Sequence, residues 1–96
     1  MKLGRTLEKR KDEILRISSQ HGARNVRIFG SRAREGSSET GDLDLLVEMK
    51  PNSSLLDLIA IKQDLEDLLE CKVDVVTESS LSPYIKDEIL KEAVRL

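Results

Sequence analysis

Three aspartates are the residues of this chain best suited to chemistry. Asp42 and Asp44 flank a single leucine in GDLDLLVE, and Asp74 sits inside the valine-rich run KVDVVT. Leu43–Val47 reads as a strand, and side chains alternate across a strand, so Asp42 and Asp44 fall on one face while Leu43, Leu45 and Val47 fall on the other. Their Cα atoms are then roughly 6–7 Å apart, close enough for the two carboxylates to repel at neutral pH. A divalent cation between them removes that cost. Magnesium suits such a site, being hard, oxygen-seeking and commonly held by one or two carboxylates plus substrate phosphates. Lys72–Thr77 predicts another strand, with Val73 and Val75 on one face and Asp74 with Val76 on the other. An acid in so apolar a strand is either paired in a salt bridge or part of a metal site. With two carboxylates already placed nearby, a third site acid is the better reading.

A place for phosphates lies just upstream. Val26–Phe29 reads as a short strand, Gly30-Ser31 follows it directly, and Ser31–Arg34 predicts a helical turn. Glycine lets a backbone approach a ligand closely, and the first N–H groups of a turn point at an anion. Ser31 adds a hydroxyl, and Arg32 and Arg34 add guanidinium forks. Donors on one side and carboxylates on the other make a metal–triphosphate site.

The remaining elements must hold these two stretches in place. Thr6 is expected to cap a first helix that Gly22 ends, with Leu7, Ile14, Leu15 and Ile17 as its apolar stripe. Arg5, Lys9, Arg10, Lys11 and Arg16 read as its solvated face, and His21 as a cation suited to the helix end. Ser54-x-x-Asp57 resembles a capping box before Leu55, Leu58, Ile61, Leu65, Leu68 and Leu69, which recur at helical spacing and are core residues. Ser82-Pro83 opens a last helix. Its Ile85, Ile89, Leu90, Ala93 and Val94 are expected to dock on the core.

The chain of 96 residues has room for a single domain, residues 1–96, with one modest core. A composition of 39% hydrophobic and 35% charged residues fits a soluble globular protein. No apolar run reaches about 18 residues and no signal-like start is seen, so a cytoplasmic protein with no membrane partner is expected. The only cysteine, Cys71, leaves no internal disulfide and reads as a packed thiol. A formal charge of −2 and only one Tyr and one Phe argue against stable nucleic-acid binding.

Gly30-Ser31 followed by Asp42-Leu43-Asp44 resembles the signature of the DNA polymerase β-type nucleotidyltransferase superfamily. The longer pattern, FGSRAR through GDLDLLV with VDVV and ILKEAV beyond, is similar to its small prokaryotic branch, the minimal nucleotidyltransferases, antitoxin partners of HEPN-domain ribonuclease toxins. Two departures fall in the loop: Glu35 stands where glycine is common, with Gly36 one place later, and Gly41 stands where serine or threonine is frequent. The resemblance implies that Gly30 and Ser31 hold the triphosphate of ATP, that Asp42 and Asp44 bind two magnesium ions, and that Asp74 completes the site.

The expected architecture is α/β (α+β). It has a small mixed sheet of three or four strands, helices packed on one face and the acids on the other, with a right-handed crossover bringing the Asp74 strand beside the Asp42–Asp44 strand. The expected reaction is transfer of AMP from ATP to a hydroxyl, with Asp74 helping to deprotonate the acceptor. After one sheet and its helices nothing remains to build an acceptor pocket, so a protein acceptor is expected. The resemblance implies a tyrosine of a HEPN toxin; a homodimer or hetero-oligomer is a separate possibility. Two other readings stand beside this one: a binding module that neutralises its partner without catalysis, and a small-molecule nucleotidyltransferase of the antibiotic-modifying kind.

Overall fold

The computed structural model describes residues 5–33 and 42–96, without the side chains of residues 5, 6 and 31. Helix α1 runs from Arg5 to Gln20 and strand β1 from Ala23 to Phe29. A short 3-10 turn covers Gly30–Ala33. Strand β2 spans Leu43–Met49, helix α2 Leu55–Leu69 and strand β3 Val73–Thr77. A second 3-10 turn, Glu78–Ser80, leads to helix α3, Pro83–Glu92, and to strand β4, Val94–Arg95. The strands form one sheet in the order β3-β2-β1-β4. β1 is antiparallel to both β2 and β4, whereas β2 and β3 are parallel, joined through α2.

Local chemistry explains most of these limits. Thr6 lies inside α1 rather than before it. At the far end Gly22, with φ +84°, turns the chain out of the helix, and its carbonyl accepts from Lys50 N–H at 3.0 Å. His21 Nε2 meets Asp64 Oδ2 of α2 at 2.8 Å and ties the two helices together. Ser54 caps α2, with Asp57 Oδ2 accepting from its backbone N–H at 2.9 Å. Ser82 caps α3, its Oγ accepting from Tyr84 N–H, and Pro83 holds the first turn.

The core lies between one sheet face and helices α1 and α2. Leu43, Leu45 and Val47 of β2, Val26 and Ile28 of β1 and Val73 of β3 meet Leu7, Ile14, Ile61 and Leu65, all essentially withdrawn from water. Each such side chain contributes about 1.5–3 kcal/mol on leaving water. Ser18 reaches the same interior because its hydroxyl donates to Ile14 O at 2.8 Å.

Two further expectations from the sequence need correcting. Helix α3 buries no side chain: Ile85 and Tyr84 are exposed, and Ile89 and Leu90 are only half-buried. Val94 leaves the helical pattern to pair with Ile28 as β4, where its side chain joins the margin of the core. β1 also begins three residues earlier than its apolar run. A bulge between Arg24 and Arg27 absorbs the polar residues there, with Asn25 at φ +49°.

Candidate active site

The second sheet face carries the acids. Asp44 is the Cα partner of Asp74 across the parallel β2–β3 pair and of Phe29 across the antiparallel β1–β2 pair. Paired residues of neighbouring strands point to the same face, so Asp44 and Asp74 stand side by side about 4.8 Å apart at Cα. Asp42 immediately precedes β2, two residues before Asp44, and is exposed, as is Asp74; Asp44 is half-buried between them. The Leu43 N–H donates to Lys72 O at 2.9 Å, so the parallel pairing already begins where Asp42 ends.

Crowding acts on Asp44. Burial is the largest influence, followed by the charges of Asp74 and Asp42, a side-chain hydrogen bond to Asp74 and the charge of Glu92 at the end of α3. Together they raise its carboxyl above the ordinary 3.8. A cation between the carboxylates would relieve this crowding. Among the described residues no three His, Cys, Asp or Glu side chains are already gathered tightly about one point. The existing unit is the Asp44–Asp74 pair with Asp42 at its border.

Gly30 closes the site from the β1 side. Its φ is +74°, a conformation that side chains disfavour, and a Cβ there would collide with Asp44 Oδ2. Both reasons make glycine the fitting residue where β1 gives way to the 3-10 turn. Arg32 follows in that turn, but the structure places it beneath the surface, 7% exposed, with Nη1 4.0 Å from Cys71 Sγ. Ser31 lies in the turn, while its hydroxyl falls outside the described residues, as do Arg34, Glu35, Gly36 and Gly41.

Two basic residues near the acids escaped the sequence reading. Arg27 is one row behind Asp44 on the same face, in register with Leu46, and its Nη2 reaches Glu78 Oε2 at 3.2 Å. Glu78 follows β3, so the arginine stem crosses β2 and covers Leu46, which is 0% exposed outside the main core. Lys62 of α2 donates to Val73 O at 2.9 Å, and the charges of Asp74 and Asp42 act on it. A strand-face arginine flanked by apolar residues was a weak signal for Arg27. The i,i+4 partner of Lys62, Glu66, was visible in the helical spacing, but the contact of Lys62 with Val73, 11 residues further on, was not.

The nucleotidyltransferase domain family model matches residues 7–96. This chain belongs to that family. It is 48% identical over 84 residues to "Putative protein adenylyltransferase MJ0435" of Methanocaldococcus jannaschii, covering 88% of this chain and 90% of the relative. A solved structure described as that of a "putative minimal nucleotidyltransferase" superposes with a TM-score of 0.83 at 43% identity, over 95% of this chain and 93% of the other. The fold also recurs in a solved structure described as a "tri-AMPylated Shewanella oneidensis HEPN toxin in complex with MNT antitoxin". There the TM-score is 0.70 at 17% identity, covering 92% of this chain and 69% of that one, a likeness of fold alone. The enzyme class follows from the family and from the M. jannaschii relative: this is a nucleotidyltransferase. No described helix of it is long and apolar enough to cross a membrane.

Proposed function

We propose that this nucleotidyltransferase, acting as one domain over residues 1–96, transfers AMP from ATP to a protein hydroxyl, a tyrosine of a HEPN-type toxin, and thereby acts as its antitoxin. The observation that carries the reading is the in-register pair Asp44–Asp74, with Asp42 beside it and Gly30 packed against Asp44. A group of three neighbouring carboxylates whose central acid is held above its ordinary range fits a hard divalent cation, and magnesium is the match. Asp42 and Asp44 would hold two ions and Asp74 one of them. When bound, the ions would neutralise the triphosphate and favour an ionised acceptor oxygen.

The chain's own residues supply the rest. Gly30 lets the backbone approach the triphosphate, and the N–H groups of the Gly30–Ala33 turn with the Ser31 hydroxyl donate to it. Arg32 braces that turn from beneath, and Arg34, outside the described residues, is proposed as a further phosphate-binding cation. The acceptor oxygen attacks the α-phosphorus, the bond to the β-phosphate oxygen breaks, pyrophosphate leaves, and Asp74 takes the acceptor's proton. Positioning and charge neutralisation provide most of the rate.

The name of the M. jannaschii relative supports a protein acceptor, and the toxin–antitoxin complex of like fold supports the partner class. The acids lie on the sheet face away from α1 and α2, where a folded partner could form the missing wall. Intact-mass spectrometry of a co-incubated HEPN partner with ATP and magnesium is the test. AMP-sized additions that vanish with Asp44→Asn are expected. An unmodified partner in a tight, inhibitory complex would replace transfer with neutralisation by binding.

A further inference from the structure

Strand β3 is the edge of the sheet beside β2, and the acid it carries is held from outside. The Lys72 carbonyl faces β2, so the N–H and C=O of Val73 point away from the sheet. On an edge strand such groups ordinarily turn to water and the strand end frays. Here both are bound by one helix. Glu66 Oε2 accepts from Val73 N–H at 3.0 Å, and Lys62 Nζ donates to Val73 O at 2.9 Å. The same Lys62 Nζ donates to Glu66 Oε2 at 2.8 Å, closing a ring between α2 and the residue immediately before Asp74. Lys62 and Glu66 lie one turn apart on α2, so each limits where the other can go.

We infer that Lys62 and Glu66 are positioning residues: their clasp on Val73 fixes the start of β3 and thereby holds Asp74 level with Asp44 for transfer. The inference rests on the role proposed above for Asp74. An acid that must receive a proton from an attacking hydroxyl is sensitive to small displacements, and a misplacement of about 1 Å can cost on the order of a hundredfold in rate. Loosening the clasp therefore acts on turnover. Nucleotide affinity is set by the Gly30–Ala33 turn and is spared.

Three variants test this: Glu66→Gln, Lys62→Met and Lys62→Arg. Amide hydrogen exchange should accelerate at Val73 about tenfold in the first two, the scale for losing one charge-assisted hydrogen bond. In a transfer assay with a HEPN partner, kcat should fall at least about tenfold for both while KM for ATP stays unchanged. Lys62→Arg, which keeps the charge and the donors, should restore both readouts at least in part. Unchanged Val73 exchange, or full kcat in both loosened variants, would overturn the clasp. A parent protein without any transfer would instead overturn the function proposed above, and exchange at Val73 would still rule on whether the clasp holds the strand.

Discussion

Replacing Asp44 by asparagine should stabilise the metal-free domain at neutral pH even as it abolishes transfer. Asp44 stands beside Asp74 at the inter-strand spacing, with Asp42 close by, and is held above its ordinary 3.8. Two unit charges about 5 Å apart repel by about 0.8 kcal/mol in a water-like dielectric and about 3 kcal/mol at an effective constant of 20. Asp42 and Asp74 are exposed and Asp44 is only half-buried, so solvent screening places the gain near the lower figure, about 1 kcal/mol. In a domain of this size that raises the melting temperature by roughly 4–8 °C. The amide also keeps a hydrogen bond, since its nitrogen can donate to Asp74. The pH dependence has a definite sign. A carboxyl raised on folding favours the folded state when protonated and loses that contribution as pH rises through the raised value. The gap between variant and parent should therefore be absent well below 3.8, open through the acidic range and be complete at neutral pH. Added salt should narrow it. Magnesium or manganese should stabilise the parent and leave Asp44→Asn unmoved. Thermal denaturation in EDTA, across pH, then with cation, reads all of this. A variant that melts at or below the parent in EDTA at neutral pH would refute the reasoning.

Four further outcomes follow from particular contacts. Gly30→Ala should cost about 1–2 kcal/mol for the left-handed backbone and also displace Asp44, so cation-dependent stabilisation should disappear even where circular dichroism shows a folded chain. Leu65→Ala, in the core between α2 and the sheet, should destabilise by about 2–5 kcal/mol in urea titration. Arg27→Ala should uncover Leu46 and break the link to Glu78, lowering stability by about 1–2 kcal/mol, whereas Arg27→Met should recover most of the loss because its stem still covers the leucine. Glu66 is held below its ordinary 4.5 by Lys62 first and the Val73 N–H second. Its contribution is present above 4.5 and lost as pH falls through the lowered value, so β3 exchange in the parent should rise in acid more steeply than in Glu66→Gln.

What the sequence determined by itself is what a few neighbouring residues decide. Alternation in DLDLLV and KVDVV put each acid on the face opposite Leu43, Leu45, Val73 and Val75, because successive side chains must point to opposite sides of a strand. Ser54 with Asp57, and Ser82 with Pro83, marked helix starts because their groups satisfy N–H groups within one turn. The Gly30-Ser31 turn between strand and loop was legible for the same reason. Only the tertiary structure decided who stands beside whom. The pairing of Asp44 with Asp74, rather than with a residue one step along, depends on α2 laying its leucines on the sheet. The burial of Arg32 against Cys71 and the crossing of Arg27 to Glu78 join residues 39 and 51 positions apart. The end of the last helical pattern became β4 because the outer edge of β1 offers unpaired backbone groups, and Val94 and Arg95 gain more by pairing there than by extending an exposed helix. Lys62 and Glu66 read as ordinary surface residues of a helix until β3 is placed against them. Hydrogen-bond partners brought together by packing leave no periodic trace in the chain, and those partners position the acids.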